Sequence, residues 1–342
     1  MKLEKPKHLS AGDMIATVSV SNGWAGDPDI FWKYELGKKR LEDIFELNVQ
    51  AAPNSMRGHE YLKSNPKARA DDLMWAFENK TIKAIIANIG GNDSIQIIPF
   101  IDPAVIKNNP KIFIGFSDAI NVHLLCYKAG LSTSYGHNLL STIAADTQNF
   151  HPYSEKWFKN TLFDVSPIGT IEPSDSWTFD EPNYLEKNFK RNYYPNPGYK
   201  LIQGNGIVRG KLFGGFGLSE FENSSIAFVD DDFENSILFI EDIPIFFTPK
   251  LIEEFFRKLG EKGFLKKMRG IIIGKIRKNI SFDEHGHFIK NVISDELGLK
   301  DLPVLYGLNF GHSSPQFILP YGAQAEINCE AMSFSILESG VA

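Results

Sequence analysis

Apolar and polar positions in the first half of the chain alternate between strand-like and helix-like periods. Met14–Val20 reads as a strand and 35–45 as a helix; 69–77 reads as a second helix with Ala70, Leu73 and Phe77 on one face. Ala84–Ile89 reads as a buried strand, followed by Gly90-Gly91 and an apolar helical segment over 95–100. Lys111–Ile114 predicts another strand. The helix expected after it, over about 119–129, stops at Gly130, a common C′ residue. Strands separated by helices imply βαβ units and a mostly parallel sheet.

That rhythm fades after about Phe150. Residues 167–197 are rich in Pro, Asn, Asp and aromatics with little periodicity, which suggests an inter-domain crossing with a long loop. Shorter strand signals resume at 206–212, 236–240 and 270–276. One amphipathic helix interrupts them. Thr248 caps it, Pro249 opens it, and Ile252, Phe255, Phe256 and Leu259 form its apolar stripe.

At 342 residues the chain exceeds one ordinary core and suits two domains. The boundaries read as 1–165 for an N-terminal α/β domain, 166–200 for a linker and substrate loop, and 201–342 for a C-terminal domain. Hydrophobic residues at 43% and charged residues at 23% are an ordinary globular balance. A net charge of −6 offers no basic stripe for a nucleic-acid polymer. Cys126 and Cys329 are the only cysteines and make no disulfide framework or zinc set. The first ten residues lack the apolar core of a signal peptide, and no apolar run is long enough to span a bilayer. The expectation is a cytoplasmic protein with no membrane partner.

Three polar stretches follow apolar strand signals: Gly115-Phe116-Ser117-Asp118, Ile240-Glu241-Asp242 and Phe310-Gly311-His312. Ligands of open α/β sheets sit outside the carboxyl ends of the strands, so Ser117, Glu241 and His312 can converge on one crevice. They are the parts of a nucleophile, its imidazole base and a carboxylate that orients the base. The order Ser, Glu, His matches α/β-hydrolases, although the local motif is not their Gly-x-Ser-x-Gly. Helix N-terminal amides after Ser117 suit an oxyanion, and so does the Gly90-Gly91 turn. Each piece also has a plain alternative: an N-cap serine, a tight glycine turn, a solvated carboxylate, an ordinary loop histidine. Of an adjacent pair, only one of Glu241 and Asp242 can enter a site. Gly214-Gly215-Phe216-Gly217 lacks the helix and the acidic residue of a dinucleotide fingerprint. His123 reads as packing, His137 as a possible site wall, and His285 and His287 as a solvated turn.

Together these segments resemble the LD-carboxypeptidase family of serine peptidases, in particular its microcin C immunity branch. Leu9–Asp13 with Ile15–Ser21, Ala70–Leu73, Ile89–Ser94 and Pro320-Tyr321-Gly322 extend the likeness over nearly the whole chain. The resemblance implies an N-terminal flavodoxin- or Rossmann-like α/β parallel sheet with helices on both faces. It also implies a smaller, β-barrel-like α/β domain at the C-terminus. It further implies a Ser117–His312–Glu241 triad with an oxyanion hole at the Gly91 and Asp118 amides. Gly90, Trp177 and Phe216 would contact a small-molecule or short peptide substrate. Family members use no metal or organic cofactor and are usually homodimers. Phe216 stands where the family commonly has asparagine, which bears on the substrate and not on the triad. The resemblance points to cleavage of an amide in aminoacyl-nucleotide compounds, or to removal of D-alanine from a murein tetrapeptide. A reading of a different class is a ligand-binding relative without catalysis.

Overall fold

The computed structural model describes residues 2–217, 230–243, 245–276 and 282–342. In chain order its strands begin with β1 (Met14–Val18), β2 (Asn48–Ala51), β3 (Ile82–Ala87), β4 (Ile112–Gly115) and β5 (Ser134–Tyr135). The middle segment adds β6 (Gly169–Thr170), β7 (Ser176–Trp177), β8 (Tyr194–Pro195) and β9 (Lys200–Gln203). The C-terminal part contributes β10 (Ile207–Phe216), β11 (Ser236–Glu241), β12 (Gly270–Gly274) and β13 (Val304–Leu308). The last strands are β14 (Leu319–Pro320), β15 (Gln324–Asn328) and β16 (Ser333–Ile336).

The first sheet has the order β14-β5-β4-β3-β1-β2. Five strands run parallel, and β14 closes one edge antiparallel to β5. Successive residues of a strand face opposite sides, and here both sides are covered. Ala84, Ile86, Ile112 and Ile114 pack with Leu41 and Phe45 of α1 (Phe31–Phe45). Ile85, Ala87 and Phe113 pack on the other face. Their partners are Leu73 and Phe77 of α2 (Pro66–Glu78) and Val122 and Cys126 of α3 (Ile120–Lys128). The expected parallel sheet with helices on both faces is the structure observed. Gly130 ends α3 at φ +91°, as the C′ position requires. The segment at 95–100 forms a 3-10 helix, Ser94–Phe100, with Pro99 inside it.

The second sheet has eight strands, in the order β6-β16-β15-β10-β11-β12-β13-β9. Its centre, β10 to β13, is parallel, and antiparallel strands flank it. The predicted amphipathic helix is Pro249–Glu261, with Thr248 accepting from the Leu251 amide and all four stripe residues buried. Burial of such a stripe is what holds a helix in place.

The two sheets share an apolar seam. Phe116, Ile120, Tyr127 and Tyr135 from the first half pack with Phe213, Phe239 and Tyr321 from the second. Covalent crossings reinforce it: β6 precedes the proposed C-terminal domain yet pairs with β16, and β14 returns from the second half to pair with β5. Both sheets therefore point carboxyl ends at the same seam.

Candidate active site

β4 ends at Gly115, Phe116 is extended, and Ser117 takes φ +62° before a 3-10 turn leads into α3. A left-handed serine is uncommon and persists only where its surroundings hold it. The turn lifts the hydroxyl off the sheet edge, as the strained strand-to-helix elbow of hydrolases does. Ser117 is buried to 9% exposure, beneath residues of the second sheet.

His312 Nε2 lies 3.0 Å from Ser117 Oγ, and His312 Nδ1 lies 2.7 Å from Glu241 Oε2. An ionised carboxylate only accepts, so Nδ1 carries the proton and Nε2 is free to accept from the serine. The His312 backbone amide also donates to Glu241 Oε2, at 3.1 Å. Glu241 is 1% exposed at the end of β11, and its other oxygen accepts from the Tyr135 hydroxyl at 2.5 Å. That hydroxyl accepts in turn from the Ser117 amide at 3.3 Å. Burial and the Glu241 carboxylate hold the Tyr135 hydroxyl well above its usual pKa, which keeps it a donor. One phenol thus joins nucleophile and carboxylate across the seam. Two rings brace the imidazole: Phe116 at 5.2 Å and Phe216 at 5.1 Å between centroids.

Gly90 and Gly91 form the floor beside the serine. A Cβ on Gly90 would stand 2.9 Å from Ser117 Oγ and 3.4 Å from the Asp118 amide nitrogen. The bare glycine therefore leaves a space that touches both the hydroxyl and the first free amides of the turn. Gly91 has φ +155°, and a side chain there would collide with Ser21 Oγ. Its amide donates to no protein group among the described residues. The Asp118 carboxylate fixes this arrangement. It accepts from the Asp93 and Ser94 amides, both at 2.8 Å, and from the Ser21 and Ser94 hydroxyls. Burial pushes its pKa up, and these donors oppose the rise. Asp118 thereby clamps the glycine turn onto the serine turn.

Trp177 lies in the small β7/β8 hairpin, where Thr178 exchanges backbone hydrogen bonds with Ser314 on the His312 loop. The hairpin is thus docked on the loop that carries His312. Phe216 packs on His312 itself. His137 is not a site wall: it is fully buried, bonds the Gln316 carbonyl and stacks on Phe158. His123 packs as expected, between Thr133 and the Gly115 carbonyl. His285 and His287 are not in a solvated turn. They lie on the helix Phe282–Lys290, and His285 is buried against the Tyr306 hydroxyl at 2.6 Å. Gly214 and Gly215 are strand residues of β10, packed against Phe239 and Ile120. Among the described residues no group of His, Cys, Asp and Glu is arranged to hold a metal ion, and no helix is long and apolar enough to cross a membrane.

Comparison with known proteins gives this constellation its context. Residues 15–136 match the family model described as the LD-carboxypeptidase N-terminal domain, and residues 209–327 match the C-terminal domain model. The chain belongs to the LD-carboxypeptidase family. It is accordingly a peptidase-type hydrolase. Putative carboxypeptidase YocD of Bacillus subtilis is 30% identical over 95% of both chains. The probable murein peptide carboxypeptidase of the same organism is 27% identical, covering 98% of this chain and 95% of that one. Microcin C7 self-immunity protein MccF of Escherichia coli is 29% identical over 81% of this chain and 80% of its own. The crystal structure of an MccF-like protein from Streptococcus pneumoniae in complex with AMP superposes with a TM-score of 0.83. It is 29% identical and covers 95% of this chain and 98% of that one. Both domain models fall where the two sheets were found: β4, before Ser117, lies in the first and β11, with Glu241, in the second.

Proposed function

We propose that the protein is a serine-type amidohydrolase with a Ser117–His312–Glu241 triad, acting on aminoacyl-nucleotide compounds of the microcin C kind. The observation that carries the chemistry is the continuous hydrogen-bonded chain from Ser117 Oγ through His312 to Glu241. Ser117 Oγ attacks the amide carbonyl while His312 Nε2 takes its proton. The developing oxyanion is received by the Gly91 and Asp118 amides over the bare face of Gly90. As the tetrahedral centre collapses, the C–N bond breaks and His312 returns the proton to the leaving amine. Water then repeats the sequence on the acyl-serine, with His312 again the base. Glu241 holds the ring in the working tautomer and stabilises its cation.

The likeness to MccF and to the AMP-bound structure supports the nucleotide side of the substrate. Trp177 on its hairpin supplies an aromatic face for a base, since every base has a face to stack. A second reading, release of terminal D-alanine from a murein tetrapeptide, is favoured by the probable murein peptide carboxypeptidase among the relatives. Either substrate is met in the cytoplasm, where we place the enzyme, and a homodimer is the expected assembly. Incubation with an aminoacyl sulfamoyl adenylate and with the tetrapeptide, followed by mass spectrometry, tests the assignment. Turnover of the first is expected; clean D-alanine release with an intact adenylate reverses it. An acylating serine probe that adds no mass to the native protein would instead mark a ligand-binding relative without catalysis.

A further inference from the structure

β10 to β13 are parallel, so their carboxyl ends form one edge. β11 delivers Glu241 there, β13 leads into the His312 loop, and β12, between them, delivers Lys275. Lys275 is 6% exposed, and its backbone amide is tied to the Leu308 carbonyl at 2.7 Å. Among the described residues its ammonium makes no hydrogen bond and no ion pair. Its neighbour is the face of Trp177, with Nζ 5.1 Å from the ring centroid. Gly307 leaves the other flank bare: a Cβ there would sit 3.7 Å from Nζ. The charge that acts on Lys275 is Lys200, of the same sign. Burial and Lys200 lower its pKa to about 8, so the ammonium still carries its charge at neutral pH.

A buried cation without an anion is costly, and folded proteins ordinarily pair it or replace it with an apolar chain. One without an anion among the described residues, at the ligand edge of a parallel sheet and beside an aromatic face, is poised for an anion from outside. We propose that Lys275, with Trp177, forms a subsite for an oxyanion carried by the substrate. The oxyanion is a nucleotide phosphate or the terminal carboxylate of a short peptide. The proposal rests on the reading of this edge as the substrate cleft.

Calorimetric titration with two matched pairs tests it: AMP against adenosine, and an N-acetylated D-alanyl peptide against its C-terminal amide. The native protein should bind the anionic member of one pair at least about tenfold more tightly than its neutral mate, as a charge-assisted contact implies. Which pair discriminates identifies the source of the oxyanion. Lys275→Met should erase that preference, leave the neutral ligands unaffected and keep or raise the thermal midpoint. Lys275→Arg should retain the preference. No preference in either pair overturns the subsite, as does a Lys275→Met protein that keeps it or that only loses stability. The readout needs no turnover. An anion preference without hydrolysis leaves the subsite standing and retires the proposed function, whereas hydrolysis without the preference does the reverse.

Discussion

Ser117 and His312 face each other across 3.0 Å, yet different contacts hold the two sides of that gap. The nucleophile side is polar. Asp118 binds two backbone amides and two hydroxyls, and strained backbone aims the serine. The base side is partly aromatic, with His312 set between two phenylalanine rings and a carboxylate from another strand. Rotamer freedom is removed by hydrogen bonds on one side and by packing on the other. The first can be disturbed by a single methyl group, the second by loss of the Tyr135 hydroxyl that bonds Glu241.

The largest effects should come from the gap itself. Ser117→Ala and His312→Ala should each lower kcat by roughly 10⁵-fold or more and to a similar extent, because the triad acts as a unit. Glu241→Gln should lose less, roughly 10- to 100-fold short of those two. Steady-state kinetics on any accepted substrate checks this ranking. A Ser117→Ala protein with near-native turnover would sink the triad.

Gly90→Ala sharpens the contrast on the polar side. The added methyl would stand 2.9 Å from Ser117 Oγ, in the space reserved for the reacting carbonyl. kcat/KM should fall roughly 100-fold, as sub-ångström misplacement at a nucleophile can produce, with the thermal midpoint close to native. An equal loss of stability would mean that the glycine serves the fold and not the site.

Tyr135→Phe probes the link between the sides. Glu241 would keep both donors of His312 and lose the Tyr135 hydroxyl. We expect kcat to fall roughly tenfold with KM little changed. An unchanged kcat would reduce Tyr135 to a packing residue.

The smallest effect concerns stability. Burial lowers His123 to about 3, and His137 and His285 to about 4, from an ordinary 6.5. The unfolded chain therefore binds more protons than the native one between about pH 6.5 and 4, so stability falls as pH falls through that window. The thermal midpoint should drop by roughly 5 °C or more from pH 7 to pH 5. A flat profile would contradict neutral burial of all three.

The sequence made this division partly visible. The βαβ rhythm located β1, β3 and β4, because strands buried on both faces are continuous apolar runs between helical periods. Ser117, Glu241 and His312 were each legible as polar residues just past such a run. Tyr135 was not, since β5 is only two residues long and leaves no period to read. Its one signal was a tyrosine before a glycine at a strand end. Lys275 was hidden for another reason: it lay inside the strand signal 270–276, and a lysine there does not reveal what its ammonium meets. His137 misled because a strand-end histidine has the same local pattern whether a helix covers it or a cleft opens above it; α4 (Pro152–Leu162), which supplies Phe158, decides. The hairpin of β7 and β8 lay inside a stretch without periodicity, where aromatic pairing and not alternation makes the contact.

The return of β14 to the first sheet has a consequence for how the enzyme comes into being. The His312 loop begins on one sheet and ends on the other, so it is the suture between them. During synthesis the nucleophilic serine is made nearly two hundred residues before its imidazole. The elbow then holds a hydroxyl with no base. On the proposed triad, hydrolysis therefore waits until the suture is tied.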